Sequence, residues 1–223
     1  MFELTNSIQY TIPVMCAILT SKIVSDAIEP RSIYDLTIAN ARLPYLDAKE
    51  DHVHKLSVAD IVDSHAPVIS LDDDNTLASL HDQLARLYAS GTAGGFPLVA
   101  SEDGRLRHFG YVASKELEYG LAQSAMFGSP SVPCTFRAVQ AIRAGLPVPS
   151  SRVATPGAWD LSLWVDRAPV VISLGSPMEL CHEMFAKLGL RYLIVVDERG
   201  QYKGVIEKNR YLAYLQWLES SED

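Results

Sequence analysis

A stretch of about sixty residues occurs twice in this chain, and that repetition limits the possible folds more than any single motif. Val62-Asp63 followed by Ala66-Pro67-Val68-Ile69-Ser70-Leu71 returns as Val165-Asp166 followed by Ala168-Pro169-Val170-Val171-Ile172-Ser173-Leu174. Each copy continues into a polar stretch and an amphipathic helix, over residues 76–88 in the first and 177–188 in the second. In the second helix Leu180, Met184, Lys187 and Leu188 approximate one apolar stripe, which sets Glu179, His182 and Glu183 toward solvent. An apolar strand comes next, Phe96-Pro97-Leu98-Val99-Ala100 and Tyr192-Leu193-Ile194-Val195-Val196. Asp103-Gly104 and Arg199-Gly200 then supply hairpin turns, because glycine accepts the positive φ such turns need. Helices over 114–123 and 209–218 close the copies. Each unit reads strand–helix–strand–strand–helix, an α/β pattern. One such unit cannot bury its sheet and both helices, so the two are predicted to pack on each other.

Two further zones frame the repeats. Residues 1–46 are apolar and end abruptly at the charged run Asp47-Ala48-Lys49-Glu50-Asp51. The first repeat is assigned to 47–123 and the second to 159–219. Between them, 124–158 carries Pro130, Pro133, Pro147, Pro149 and Pro156 and reads as a linker or irregular loop with one helix around 136–144. The N-terminus is not a secretory signal, since Glu3 precedes the apolar run and the first basic residue is Lys22. The run over 8–20 is too short and too polar to be assigned to a membrane by length alone, and composition fits a buried helix of a soluble domain equally well.

Charge and composition exclude several classes. The net charge of -8, without a basic stripe, argues against a nucleic-acid partner, which needs clustered Lys and Arg. Cys16, Cys134 and Cys181 lie far apart and read as reduced, buried thiols. Gly91-Thr92-Ala93-Gly94-Gly95 is followed by no Gly-Lys-Ser/Thr and is no phosphate loop. Asp72-Asp73-Asp74 opens like a calcium loop, but Leu77 and Gln83 stand where its glycine and bidentate glutamate belong, so a turn or helix-start role is expected. His52 and His54 lack further ligands and read as solvated, and no convergent acid, base or metal cluster predicts an enzyme.

The repeat resembles a CBS (cystathionine β-synthase-type) tandem, through Gly95-Phe96-Pro97-Leu98-Val99 and Gly204-Val205-Ile206. The preceding zone is similar to the end of the membrane domain of CLC-family chloride channels and chloride–proton antiporters. The residues that carry this likeness are Met1-Phe2-Glu3-Leu4-Thr5, Tyr10-Thr11-Ile12-Pro13-Val14-Met15, Thr20-Ser21-Lys22, Ile33-Tyr34-Asp35 and Leu43-Pro44-Tyr45-Leu46-Asp47-Ala48-Lys49-Glu50. It covers the whole chain in order and is most similar to the endosomal and vacuolar branch, mainly exchangers. The fold it implies is an α/β (α+β) tandem CBS pair preceded by the last transmembrane helices.

The resemblance also implies roles. Tyr34 is expected to point its hydroxyl at a chloride ion, a neutral donor that stabilises an anion without trapping it. Residues 1–30 are expected to contact lipid in an endosomal, vacuolar or Golgi membrane, with 47–223 in the cytoplasm and the CBS pair regulating transport and holding a homodimer. Family segments for gating and proton transfer lie upstream of the position matched by Met1, so the sequence is expected to be part of a longer protein and not to conduct alone. An adenine nucleotide (ATP or ADP) is the implied ligand of the cleft between repeats, with Ala93, Gly94, Phe96, Glu116 and Arg210 as candidate contacts. The fit is mixed: Ala93 stands at the base-stacking aromatic position and Arg210 at the ribose-binding aspartate, whose counterpart Glu116 keeps a carboxylate. An arginine there could instead meet phosphate. Two alternatives remain open, a soluble CBS-pair nucleotide sensor and a structural pair with an empty cleft.

Overall fold

In the computed structural model, residues 11–41, 46, 56–91, 94–124, 129–148 and 157–220 are described. The chain divides into two units, Met1–Tyr45 and Leu46–Asp223. In the first, Thr11–Ile28 is one helix (α1). Its only proline, Pro13, falls in the first turn, where the missing N–H has no helical partner to lose. Pro30 forces the residue before it out of the helical region, and the helix stops at Ile28. A second helix, Ile33–Asn40 (α2), follows. None of α1 is buried: Ile12, Met15, Ile18, Leu19, Ile23 and Val24 all lie on its surface. By length and composition α1 is able to cross a membrane. Inside this apolar helix Thr20 donates its hydroxyl to the Cys16 carbonyl, at 2.5 Å, which satisfies that hydroxyl within the helix.

The second unit begins with Leu46 and a short helix, Val58–Ile61 (α3), capped by Asp60 accepting from the Ser57 N–H at 2.8 Å. Next come Ile69–Ser70 (β1), Leu77–Ala89 (α4), Gly95–Glu102 (β2), Arg105–Ala113 (β3) and Ser114–Gln123 (α5). An intermediate segment holds Cys134–Thr135 (β4), Arg137–Arg143 (α6), Trp159–Asp160 (β5) and a 3-10 turn, Ser162–Trp164. The second repeat supplies Val171–Ser173 (β6), Met178–Lys187 (α7), Tyr192–Val196 (β7), Tyr202–Glu207 (β8) and Lys208–Ser220 (α8). Each repeat forms a three-stranded sheet in sequence order, its first pair parallel and its second antiparallel. The register shifts between Leu98 and Val99 in one and between Val195 and Val196 in the other, so even the bulge repeats.

The helices bury one face each. On α4, Leu77, Leu80, Leu84 and Leu87 are inside, and each such leucine is worth roughly 2 kcal/mol in area removed from water. On α7 the buried stripe is Met178, Cys181 and Phe185, whereas Leu180 and Leu188 are exposed. The expected phase is therefore corrected: the sheet takes Met, Cys and Phe at i, i+3 and i+7, and the leucines face outward. His182 is also not a solvated residue, since its Nδ1 meets the Tyr211 hydroxyl at 2.8 Å. Cys134 and Cys181 are buried, but Cys16 is exposed, on a helix that buries none of its residues.

Each repeat receives the other's leading segment. Val58 and Ile61, in the leading part of the first repeat, pack with Ile172, Met178, Phe185, Ile206 and Tyr211 of the second. Phe136 and Val139 of the intervening segment and Leu161 and Val165, in the leading part of the second repeat, pack with Leu80, Leu98 and Leu117 of the first. Backbone pairs fix both crossings: Asp63 and Val205 exchange N–H···O bonds of 3.0 and 3.2 Å, and Asp166 and Tyr111 exchange two of 2.8 Å. Glycine is needed at both. A Cβ on Gly110 would stand 2.8 Å from Val165 Cγ1, and one on Gly204 would stand 2.7 Å from Val62 Cγ2.

The proline-rich segment is, where described, more than a linker. The carbonyls of Pro130 and Val132 accept from the Ala78 and Leu77 N–H groups at 3.0 and 3.1 Å, satisfying the first turn of α4. From α6, Arg143 reaches Asp72 at 2.5 Å and the Ser101 carbonyl at 3.0 Å. Asp72 also accepts from the Ser101 N–H at 2.7 Å, so in place of the local turn or helix-start role expected of it this acid ties the loop after β1 to the end of β2.

Candidate functional site: a charged cleft between the repeats

The exchange of segments builds a cleft of about 300 Å³, lined by Asp63, Gly91, Glu207, Asn209 and Arg210. Asp63 arrives on the leading segment, Gly91 ends α4, and Glu207, Asn209 and Arg210 span the junction from β8 into α8. Arg210 Nη1 lies 3.3 Å from Asp63 Oδ2, with both side chains partly exposed. Glu207 is half-buried, and its carboxyl is held above the usual range first by burial and then by the Asp63 charge, against the pull of Arg210. Gly94 completes the wall: a Cβ there would overlap Oε1 of Glu207. The carbonyl of Gly94 is occupied too, accepting from the Ser114 N–H at 2.9 Å.

The same junction in the first repeat has different chemistry. The matching backbone bond runs from the Lys208 N–H to the Arg191 carbonyl, also 2.9 Å, which aligns Arg191 with Gly94 and Glu116 with Arg210. Asp166 takes the place of Asp63 and accepts from the Tyr192 hydroxyl at 2.8 Å. Burial raises the Tyr192 phenol, and the charges of Asp166 and Glu116 add to that.

Of the candidate residues, Arg210 lines the cleft and Gly94 lies against its Glu207, and the others do not join them. Phe96 is fully buried in the first repeat's core with Leu80, Leu98 and Leu117, so it is a packing residue; every side chain from Gly95 to Ala100 is inside. Glu116 is exposed on the first turn of α5 and does not line the cleft. Ala93 falls outside the described residues, as do His52 and His54. Tyr34 is 77% exposed on α2, in the first unit. Sequence reasoning passed over Asp63 and Glu207 as functional residues. The signal for Asp63 was its place in the Val-Asp landmark that opens each repeat, but nothing local announced which repeat it would pack on.

These residues do not fit an adenine nucleotide. Asp63 and Glu207 put two carboxylates into a cleft that would have to hold phosphates, and the guanidinium of Arg210 is engaged by Asp63. Glu207 fills the space against Gly94, and no aromatic ring lines the cleft among the described residues. Among the described residues there is also no group of three His, Cys, Asp or Glu able to hold a metal ion.

No family model matches the chain. It is 30% identical over 217 residues to H(+)/Cl(-) exchange transporter 3 of Rattus norvegicus, covering 96% of this chain and 25% of that protein. It is 28% identical over 226 residues to H(+)/Cl(-) exchange transporter 5 of Rattus norvegicus, covering 100% of this chain and 26% of that one. The chain thus spans about a quarter of the length of the curated relatives it matches. Among solved structures, a CBS-domain protein of Pyrobaculum aerophilum complexed with AMP is similar at a TM-score of 0.43 and 15% identity, over 74% of this chain and 99% of that one. The curated relatives are transporters and not enzymes.

Proposed function

We propose, for a chain whose homologues along its whole length are the CLC-family H(+)/Cl(-) exchange transporters, that it is the control segment of such an exchanger. In this reading α1 is embedded in an endosomal, vacuolar or Golgi membrane, with lipid around residues 1–30. Tyr34 donates its hydroxyl to a chloride ion on the transport path. Residues 47–223 lie in the cytoplasm as a CBS pair that regulates transport and contributes contacts in a homodimer. The observation that carries the reading is the whole-length match to exchangers, and the fully unburied apolar face of α1 supports it. A nucleotide is left out, because the cleft residues do not suit one.

The test is a chimera. This chain replaces the matching quarter of an H(+)/Cl(-) exchange transporter, and proton movement driven by a chloride gradient is followed in reconstituted vesicles. Retained exchange, with chloride dependence weakened by Tyr34→Phe, is the expected result. A folded chimera that reaches the membrane but moves neither ion overturns the reading. A chain that partitions wholly into the aqueous phase without detergent favours the second reading, a stand-alone paired-repeat protein.

A further inference from the structure

We infer that Glu207 is a built-in occupant of the Gly94 side of the cleft between the repeats: its side chain fills the space against Gly94, and the Asp63–Arg210 pair ties the two repeats together beside it. That side of the cleft is filled by the chain itself, and the space that remains is bordered by the same carboxyl and ion pair.

Three placements carry this. Glu207 is the last residue of β8, and its carboxyl lies so close to the Gly94 Cα that a single methyl on Gly94 would displace it. Gly94 belongs to the first repeat and Glu207 to the second, so this contact crosses the boundary. Arg210, in the first turn of α8, pairs at 3.3 Å with Asp63, whose backbone is clamped to Val205 on the same strand as Glu207. The symmetry-related junction shows what the cleft lacks without these residues. There Ala113 pairs with Gly95 in the register where Glu207 pairs with Tyr192, and Glu116 replaces Arg210. That junction is tied differently, by the Tyr192 hydroxyl on Asp166 and the Tyr111–Tyr192 stack. The filling of the one cleft against Gly94 is therefore a property of three side chains, Asp63, Glu207 and Arg210, and not of the repeat as such.

The inference depends on the cleft alone and stands whether or not the chain moves chloride. Its test is amide hydrogen exchange on the full chain in detergent, read at Gly94, Gly95 and the β8–α8 junction. Glu207→Ala is expected to speed exchange there roughly tenfold while leaving α4 and β2 beyond Ala100 unchanged. Gly94→Ala, which keeps every charge and only evicts the glutamate, is expected to do the same. Glu207→Gln, which keeps the shape, is expected to exchange as the unaltered protein does. Added ATP, ADP or AMP is expected to protect none of these amides in the unaltered protein. Unchanged exchange in both Glu207→Ala and Gly94→Ala would overturn the inference, and so would nucleotide protection of the junction in the unaltered chain.

Discussion

Tyr111 and Tyr192 stack across the boundary between the repeats, their ring centroids 3.6 Å apart and their planes 16° from parallel. Tyr111 is buried on β3, and its backbone exchanges two hydrogen bonds with Asp166. Asp166 in turn accepts the Tyr192 hydroxyl, so ring, strand and carboxylate form one junction. Around it Ile194 and Val205 from the second repeat close a small core.

Removing either ring should therefore weaken both repeats together. Tyr111→Ala is expected to cost about 3–5 kcal/mol, the range for a buried aromatic, and Tyr192→Ala less, since its ring is only partly covered. A double-mutant cycle measured by urea denaturation should give a coupling of about 0.5–1.5 kcal/mol. Additive losses would mean that the stack contributes area but no specific pairing.

The crossing glycines make a paired prediction. Gly110→Ala and Gly204→Ala should each lose roughly 1–3 kcal/mol, because the new methyl meets the exchanged segment with no room to move. Gly175→Ala is the control, with no atom within 4 Å of its Cβ position, and should be close to neutral. If the first two match the control in denaturation midpoint, the leading segments are not held as tightly as their hydrogen bonds suggest.

Arg143 tests whether the segment after the first repeat is part of its core. Its guanidinium reaches Asp72 and Ser101 from α6 and lies 6.0 Å from the Phe109 ring centroid. Arg143→Ala should lower stability by about 1–2 kcal/mol through the lost charge-assisted bonds. Arg143→Lys should recover only part of this, since an ammonium cannot form both bonds in the fork geometry. Denaturation curves that superimpose for all three proteins would reduce α6 to a covering loop.

How much of this was legible beforehand depended on how local the cause was. The strands and helices of both repeats follow from apolar runs, glycine turns and caps, and the helix expected around 136–144 appears as α6. The phase of α7 was misjudged because leucines drew the stripe, while Met178, Cys181 and Phe185 form the side that the sheet covers. The proline-rich segment read as a linker because its prolines break periodicity, yet those same breaks aim the Pro130 and Val132 carbonyls at α4. The cleft was the least legible part. Arg210 and Gly94 were singled out, but the role of Glu207 depends on which repeat faces Gly94, a long-range fact that periodicity does not carry.

Thiol labelling separates the two units. Burial pushes the Cys134 thiol up to about 11 and the Cys181 thiol up to about 12, so neither is a thiolate at neutral pH. Cys16 is exposed on α1. A water-soluble maleimide, read by mass spectrometry, should add once to the native chain in mild detergent and three times after denaturation. In lipid vesicles the single addition should disappear if α1 is membrane-embedded. Its persistence there would remove the support that α1 gives to the proposed function.

The last prediction concerns pH and follows from the cleft's charges. Glu207 is faced by Asp63 from the leading segment, by Arg210 from α8 and by the Tyr111 phenol from β3. Burial and Asp63 together outweigh Arg210 and raise its carboxyl above the ordinary value, so folding favours the neutral form. A raised folded value makes this group's contribution complete below the ordinary carboxylate range and progressively lost as pH climbs through the raised value. Glu207→Gln fixes the neutral shape, so its midpoint should equal that of the unaltered protein in acid and exceed it at neutral pH. Arg210→Ala should widen the gap, since it removes the one cation that eases the charged form. Thermal unfolding of the three proteins across that range decides the sign. A glutamine variant that is the less stable at neutral pH would show that Arg210 holds Glu207 ionised, and that a three-residue salt bridge, not a half-buried neutral acid, holds this wall of the cleft.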